Sequence, residues 1–256
     1  MRGIRTTLSV GLAGAVVLTA RGWATRASLA ATLAPSQAST SASILPSFSP
    51  DRLNAKSSLR FTIDYTGGAS GVPAPVRRSV LRFPAGLSLE LPQLDSCAAP
   101  RLLERGARGC RAQSKLGHGS ALVEVRAGSQ TLTENVSLSI FLGTPHNLQP
   151  TFEILAQGHT PFDERVVLAG SMLTDQYPYG QALSILVPPI RTLTLEPDAS
   201  IVTFSLVIGS SQGRRGTASD AVVVPSSCPA GGFPFAAEFT YADGTSGSAT
   251  ATVPCP

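Results

Sequence analysis

The 256 residues carry 20 Lys+Arg against 16 Asp+Glu and 4 cysteines, a composition too apolar and too weakly charged for a disordered chain and long enough for one sizeable core. The sequence pI of 9.1 suggests a basic protein, but Arg2, Arg5, Arg21 and Arg26 all lie in the first thirty residues. Without that segment the chain holds 16 basic and 16 acidic residues, which removes the electrostatic case for a nucleic-acid partner.

Residues 1–30 have the layout of a secretory signal peptide: Arg2 and Arg5, an apolar run over residues 8–20, then small residues around Ala27 and Ala30. Ser28-Leu29-Ala30 supplies a cleavage frame, and cleavage after Ala20 or Ala27 stays open because Arg21 and Arg26 precede that frame. Thirteen apolar residues fall short of the roughly 20 that a membrane helix needs, so no stable membrane span is expected after cleavage. The C-terminal Thr252-Val-Pro-Cys-Pro256 carries no apolar tail. The expected location is secreted and extracellular, with association to the cell envelope open. Trp23, the single tryptophan, leaves with the signal, so the usual platform for stacking on sugar rings is lost. Tyr177 and Tyr179 are weak substitutes in a Pro/Gly turn.

Residues 31–50 are rich in Ala, Ser, Thr and Pro and lack charge; they read as a flexible spacer. From residue 51 to 256 short alternating runs between Gly, Pro and Asp punctuation predict strands. Leu59, Phe61, Ile63 and Tyr65 alternate with polar residues, and residues 76–83 follow. A hairpin is expected across Ala127-Gly-Ser129, joining residues 121–125 to 132–142. Further strands are predicted at 152–156, 165–173, 182–187, 191–195, 201–208, 221–224, 235–241 and 248–253. Asp243-Gly244 between the last two is a strong hairpin signal. One segment departs from strand grammar. Pro100, the helix formers that follow it and Gly106 predict a helix of one to two turns between Cys97 and Cys110, with Asp95 or Ser96 as its cap. The expected fold is all-β: an antiparallel sandwich, immunoglobulin-like or jelly-roll-like, with one short helix. Two immunoglobulin-like halves split near residues 145–150 also fit, but no internal repeat maps the first half onto the second and only the first has the helical excursion, which favours one domain over 51–256.

An even cysteine count behind an export signal reads as a disulfide framework. Cys97 with Cys110, and Cys228 with Cys255, form two sequence-local pairs, each stapling one excursion. Neither has Cys-x-x-Cys spacing, which argues against zinc or thioredoxin-like chemistry. Charge is uneven: residues 51–126 hold 12 basic and 6 acidic groups, residues 127–256 hold 4 and 10. If the halves form separate surfaces, that dipole favours head-to-tail association or an anionic wall polymer; interleaved strands would mix the charges.

The residues supply no catalytic set, and no cofactor or metal site is expected. Gly209-Ser-Ser-Gln-Gly213 matches the hydrolase nucleophile motif, but Arg214-Arg-Gly-Thr-Ala218 is no helix and every histidine precedes it. His118, His146 and His159 are isolated, with no ligand spacing. Asp243 belongs to a turn, and Asn135-Val-Ser137, a glycosylation match, falls inside a predicted strand.

Three stretches together resemble a family of exported, uncharacterised β-sandwich proteins of high-GC actinobacteria. They are Leu81-Arg-Phe-Pro-Ala-Gly-Leu-Ser-Leu with Leu94-Asp-Ser-Cys97 and Gly109-Cys110; Ser114-Lys-Leu-Gly-His-Gly-Ser-Ala121; and Cys228-Pro-Ala-Gly-Gly-Phe233 with Phe239-Thr-Tyr-Ala-Asp-Gly-Thr245 and Val253-Pro-Cys255. Arg111 stands where proline is expected. The resemblance implies fold, export and disulfides, and no reaction. The expected function is therefore a secreted, non-catalytic extracellular or cell-envelope protein that binds a cell-wall component, another extracellular protein or itself. The alternative is a secreted hydrolase using His118 or His159 with Asp163 or Glu164.

Overall fold

The computed structural model describes residues 39–68, 71–91, 95–160, 163–191, 198–209 and 221–256. The signal segment, the strand expected at 191–195 beyond Arg191, and the Ser210–Gly213 part of the nucleophile-like motif lie outside the described residues.

Thirteen strands and one short helix make up the described chain: β1 Ser41–Ser49, β2 Lys56–Thr66, β3 Val76–Pro84, β4 Ser88–Leu89, α1 Ala99–Arg105, β5 Lys115–Ala127, β6 Gln130–Leu142, β7 Thr151–Gln157, β8 Arg165–Thr174, β9 Tyr179–Leu186, β10 Ser200–Ile208, β11 Val222–Val223, β12 Phe233–Tyr241 and β13 Ser246–Val253. All pairings among them are antiparallel. The fold is all-β and sandwich-like. Its long strands follow the order β13-β12-β3-β9-β8-β7-β6-β5-β10-β2-β1, with the short β11 and β4 extending the sheet beside β2. The ends of this order meet, because β1 packs beside β13. Ten antiparallel steps separate them, so they run parallel there, and no ladder joins them among the described residues. Side chains close the roll instead: Phe48 of β1 stands 5.8 Å from Phe233 and 5.9 Å from Phe235.

Residues 37–256 form one compact unit. First-half β3 lies between β12 and β9, and second-half β10 lies between β2 and β5. Neither half near residues 145–150 therefore has a sheet of its own, and the basic and acidic halves are mixed around one surface.

The period-2 alternation that predicts strands also fills the interior. On β12 Phe233, Phe235, Ala237, Phe239 and Tyr241 all point inward and are buried. They meet Phe61, Tyr65 and Phe83 at ring-centre distances of 5.1–6.3 Å. One hydrophobic cluster runs through every long strand. The stretch read as a spacer is corrected here: residues 41–49 form β1 and bury Ile44 and Phe48. Ala42, Ile44, Pro46 and Phe48 alternate inward between four serines and the exposed Leu45, and that composition masks the pattern. Thr40, just before it, accepts the backbone N–H of Ala74 at 2.8 Å.

The helix forms where expected, with Pro100 in its first turn and Gly106 at its end, but its N-cap is Ala98 and makes no side-chain cap; Asp95 instead pairs with Arg111 at 3.2 Å. Leu102 of α1 is fully buried against Phe141 and Leu155, which point out of β6 and β7. These two would otherwise expose an apolar patch to water. The Asp243-Gly244 hairpin also forms, with a difference of detail. Tyr241 and Gly244 close the turn through a backbone bond, and only Gly244 has positive φ, at 82°. Asp243 serves as an acceptor, taking the Thr245 backbone and hydroxyl protons at 2.9 and 2.7 Å. Those bonds hold its carboxyl below the usual value.

Candidate functional site

The inner faces of β5, β6, β7, β8 and β10 do not fill the roll completely. Where the register brings Phe204 of β10 opposite Ala121 of β5, and Ala121 opposite Val136 of β6, the middle residue is small. Ala156 lies between Leu138 and Val166 in the same way. Gly119 is small for another reason: a Cβ there would stand 2.0 Å from the Ser205 carbonyl oxygen, so glycine is what lets β5 and β10 approach. Ala121, Ala156, Gly158 and Ala199 thus leave a cleft of about 50 Å³, walled by Val123, Leu138, Val166, Leu168, Ile190, Ile201 and Phe204. Leu168, Ile201 and Phe204 form its floor. Behind them lies a smaller cavity of about 10 Å³ that reaches Tyr65 and Ser79. Burial pushes the Tyr65 hydroxyl up, partly offset by its hydrogen bond with Ser79.

Two carboxylates line this apolar cleft: Glu134 and Glu164. Glu134 occupies an inward position of β6, beside Val123 and in line with Ile201, and is only 5 % exposed. Its Oε1 accepts the His159 backbone N–H at 2.9 Å. Glu164 comes from the connection between β7 and β8, where its carbonyl accepts the N–H of Gly158 at 3.0 Å. Burial, and then the charge of Glu134, raise the Glu164 carboxyl above its usual value. Neither side chain takes part in an ion pair among the described residues.

A second, shallower cleft of about 260 Å³ lies on the outer face of β12, β3, β9 and β8. Arg82 crosses it, donating to Asp175 and, at 3.0 Å, to Glu238. Arg78 in the same cleft donates to the Ser184 hydroxyl at 3.1 Å.

Each cysteine is paired as its position in sequence suggests. Cys97 joins Cys110 and Cys228 joins Cys255, with Cα separations of 5.7 and 5.8 Å, both normal for a disulfide. The first holds α1 over Phe141 and Leu155; the second closes the open end of the β12–β13 hairpin, where Phe233 pairs with Val253. Two such bridges fit an oxidising, extracellular setting, and no helix among the described residues is long and apolar enough to cross a membrane.

The histidines do not converge. His118 sits on the outer face of β5, where burial and then the cations Lys115 and Arg60 hold its imidazole below the usual value. His146 lies in the exposed turn before β7, at the opposite end of that strand from His159. The His159 side chain is exposed, so the contact joining it to the cleft is its backbone. No group of three metal-ligating side chains occurs among the described residues. Tyr177 is 82 % exposed and lies apart from both clefts. Sequence reasoning passed over Glu134, yet its signal was present. In Leu132-Thr-Glu-Asn-Val-Ser-Leu-Ser-Ile140 a carboxylate occupies the same phase as Val136, Leu138 and Ile140.

Comparison of the chain with family models, with curated proteins and with solved structures finds no match.

Proposed function

We propose that this is an exported binding protein that takes the apolar part of a small molecule into the cleft between β5, β6, β7, β8 and β10. The single observation that carries the reading is the cleft itself: an apolar recess in the interior of the roll, left by small residues at positions where larger ones would fill the core. The disulfides and the signal-like N-terminus support work outside the cell, and the resemblance to exported actinobacterial sandwich proteins supports the same location.

A neutral fluorescent amine, N-phenylnaphthylamine, tests the proposal. It should brighten on binding the mature protein and be displaced by octanol. Ala156→Phe, which places a ring in the cleft, should abolish both effects while the far-ultraviolet circular dichroism stays that of the wild type. Dye binding that persists in Ala156→Phe would place the apolar site elsewhere and end this reading.

A further inference from the structure

We infer that the ligand of this cleft carries a positively charged head group, held between Glu134 and Glu164, so that its class is the primary alkylammonium: a slender apolar chain ending in an ammonium. The inference rests on the binding reading above and adds the chemistry of recognition.

Charge balance is the starting point. A carboxylate withdrawn from water needs a cation, a proton or several hydrogen bonds. Glu134 is 5 % exposed and accepts one backbone hydrogen bond among the described residues, from His159. Glu164 is near enough for that charge to raise its own carboxyl. Among the described residues no cation forms an ion pair with either carboxylate. Arg165, next to Glu164, donates to the carbonyl oxygen of Glu104 on α1 at 3.3 Å. Lys115 and Arg60 stand on the outer face with His118. A proton shared by the two carboxyls would neutralise one charge and leave the other beside Val123, Val136 and Ile201. An added cation completes the site.

The nature of that cation follows from the walls. A bare metal ion wants more oxygen ligands than two carboxylates supply, and no third ligating side chain joins them among the described residues. An ammonium needs only acceptors, and the carbon attached to it has an apolar cleft to enter. The space is about 50 Å³, against roughly 150 Å³ for an engineered cavity that admits benzene. It therefore encloses only the few carbons next to the ammonium, and the rest of the chain, or the rings of a larger probe, lie at the open mouth of the cleft.

Three ligands of one chain length separate the claims: octanol, octylamine and octanoate, each competing with N-phenylnaphthylamine on the mature protein near neutral pH. Octylamine should displace the dye at a concentration about tenfold below octanol, as one charge-assisted contact of this kind is worth, and octanoate should be the weakest. Glu134→Gln and Glu164→Gln should each bring octylamine toward the level of octanol, with the far-ultraviolet circular dichroism of the wild type showing that the variants fold. Equal displacement by octanol and octylamine overturns the ammonium and leaves the apolar cleft standing. Failure of all three to compete overturns the cleft reading itself. Calcium that raises the melting temperature of the wild type and not of Glu134→Gln assigns the pair to a metal and likewise overturns the ammonium.

Discussion

The Glu134 carboxylate accepts the backbone N–H of His159 at 2.9 Å, so one inward side chain of β6 pins the chain where it leaves β7. Two substitutions separate that bond from the charge. Glu134→Gln keeps an acceptor at the same place and removes a charge from apolar surroundings, so urea unfolding should give a stability equal to or above that of the wild type. Glu134→Leu removes the acceptor and should cost about 1 kcal/mol, with faster amide exchange at His159. Equal stability of the two variants would mean that the bond contributes nothing.

Stability should fall as pH rises through the range just above the ordinary carboxylate pKa. Burial raises the carboxyls of Glu164 and Glu153, Glu164 with help from Glu134. The folded chain then holds protons that the unfolded chain has released, and unfolding is favoured as those protons leave. The loss begins near the unfolded value and is complete above the raised folded value. Unfolding measured across that range should show a negative slope, smaller in Glu164→Gln and smaller still in Glu164→Gln with Glu153→Gln. A slope unaltered in the double variant would show that other groups set it.

Much of the fold was legible because buried strands write themselves in period 2. Phe233 to Tyr241 and Leu59 to Tyr65 are unambiguous, and Asp243-Gly244 marks its own turn. Residues 41–49 were not, because serine on the outer face and alanine or proline on the inner one look like a linker until Ile44 and Phe48 are given a partner strand. Strand order was out of reach for a related reason: the insertion of β10 between β5 and β2 depends on contacts about 80 and 140 residues apart. The cleft was harder still. It arises where Ala121 of β5, Ala156 of β7, Gly158 just past β7 and Ala199 just before β10 line one recess, which no single strand records, whereas Glu134 left a trace as a charge in an apolar phase.

The Cys97–Cys110 bridge should matter twice, to the whole fold and to one patch. Closing a loop of this length is worth about 3 kcal/mol in the chain-entropy description. Cys97→Ser with Cys110→Ser should lower the melting temperature clearly. It should also free α1 from Phe141 and Leu155, seen as faster amide exchange over residues 99–109. Leu102→Ala, which empties the same contact with the bridge intact, should cost about 2–4 kcal/mol, since Leu102 is 0 % exposed. An unchanged melt in the cysteine variant would make the bridge incidental.

Arg82 reaches two carboxylates of unequal exposure, 15 % for the Asp175 side chain and 57 % for that of Glu238. Solvent weakens the second pair, so Glu238→Ala should change stability by no more than about 0.5 kcal/mol. Asp175 is more enclosed and also accepts the Gln176 N–H at 2.8 Å; Asp175→Ala should cost about 1.5–3 kcal/mol. Thermal unfolding of both variants decides the order, and a larger loss in Glu238→Ala would reverse the ranking by burial.

Gly247 of β13 faces the Tyr241 ring, and a Cβ at that position would stand 2.9 Å from the Tyr241 hydroxyl oxygen and 3.3 Å from Cε2. The ring is 2 % exposed, its oxygen has no hydrogen-bond partner among the described residues, and burial raises the hydroxyl pKa. Overpacking a filled interior costs about 1–3 kcal/mol, so Gly247→Ala should be destabilising by that amount. Tyr241→Phe removes both an unpaired buried oxygen and the nearest clashing atom, so alone it should be neutral or stabilising. In its background Gly247→Ala should cost about 1 kcal/mol less, a coupling that a double-mutant cycle measures directly. Additive effects would show that β13 moves away from the ring instead. The free edge of β13 would then be the softer part of the seam with β1, and amide exchange along residues 246–253 would report it.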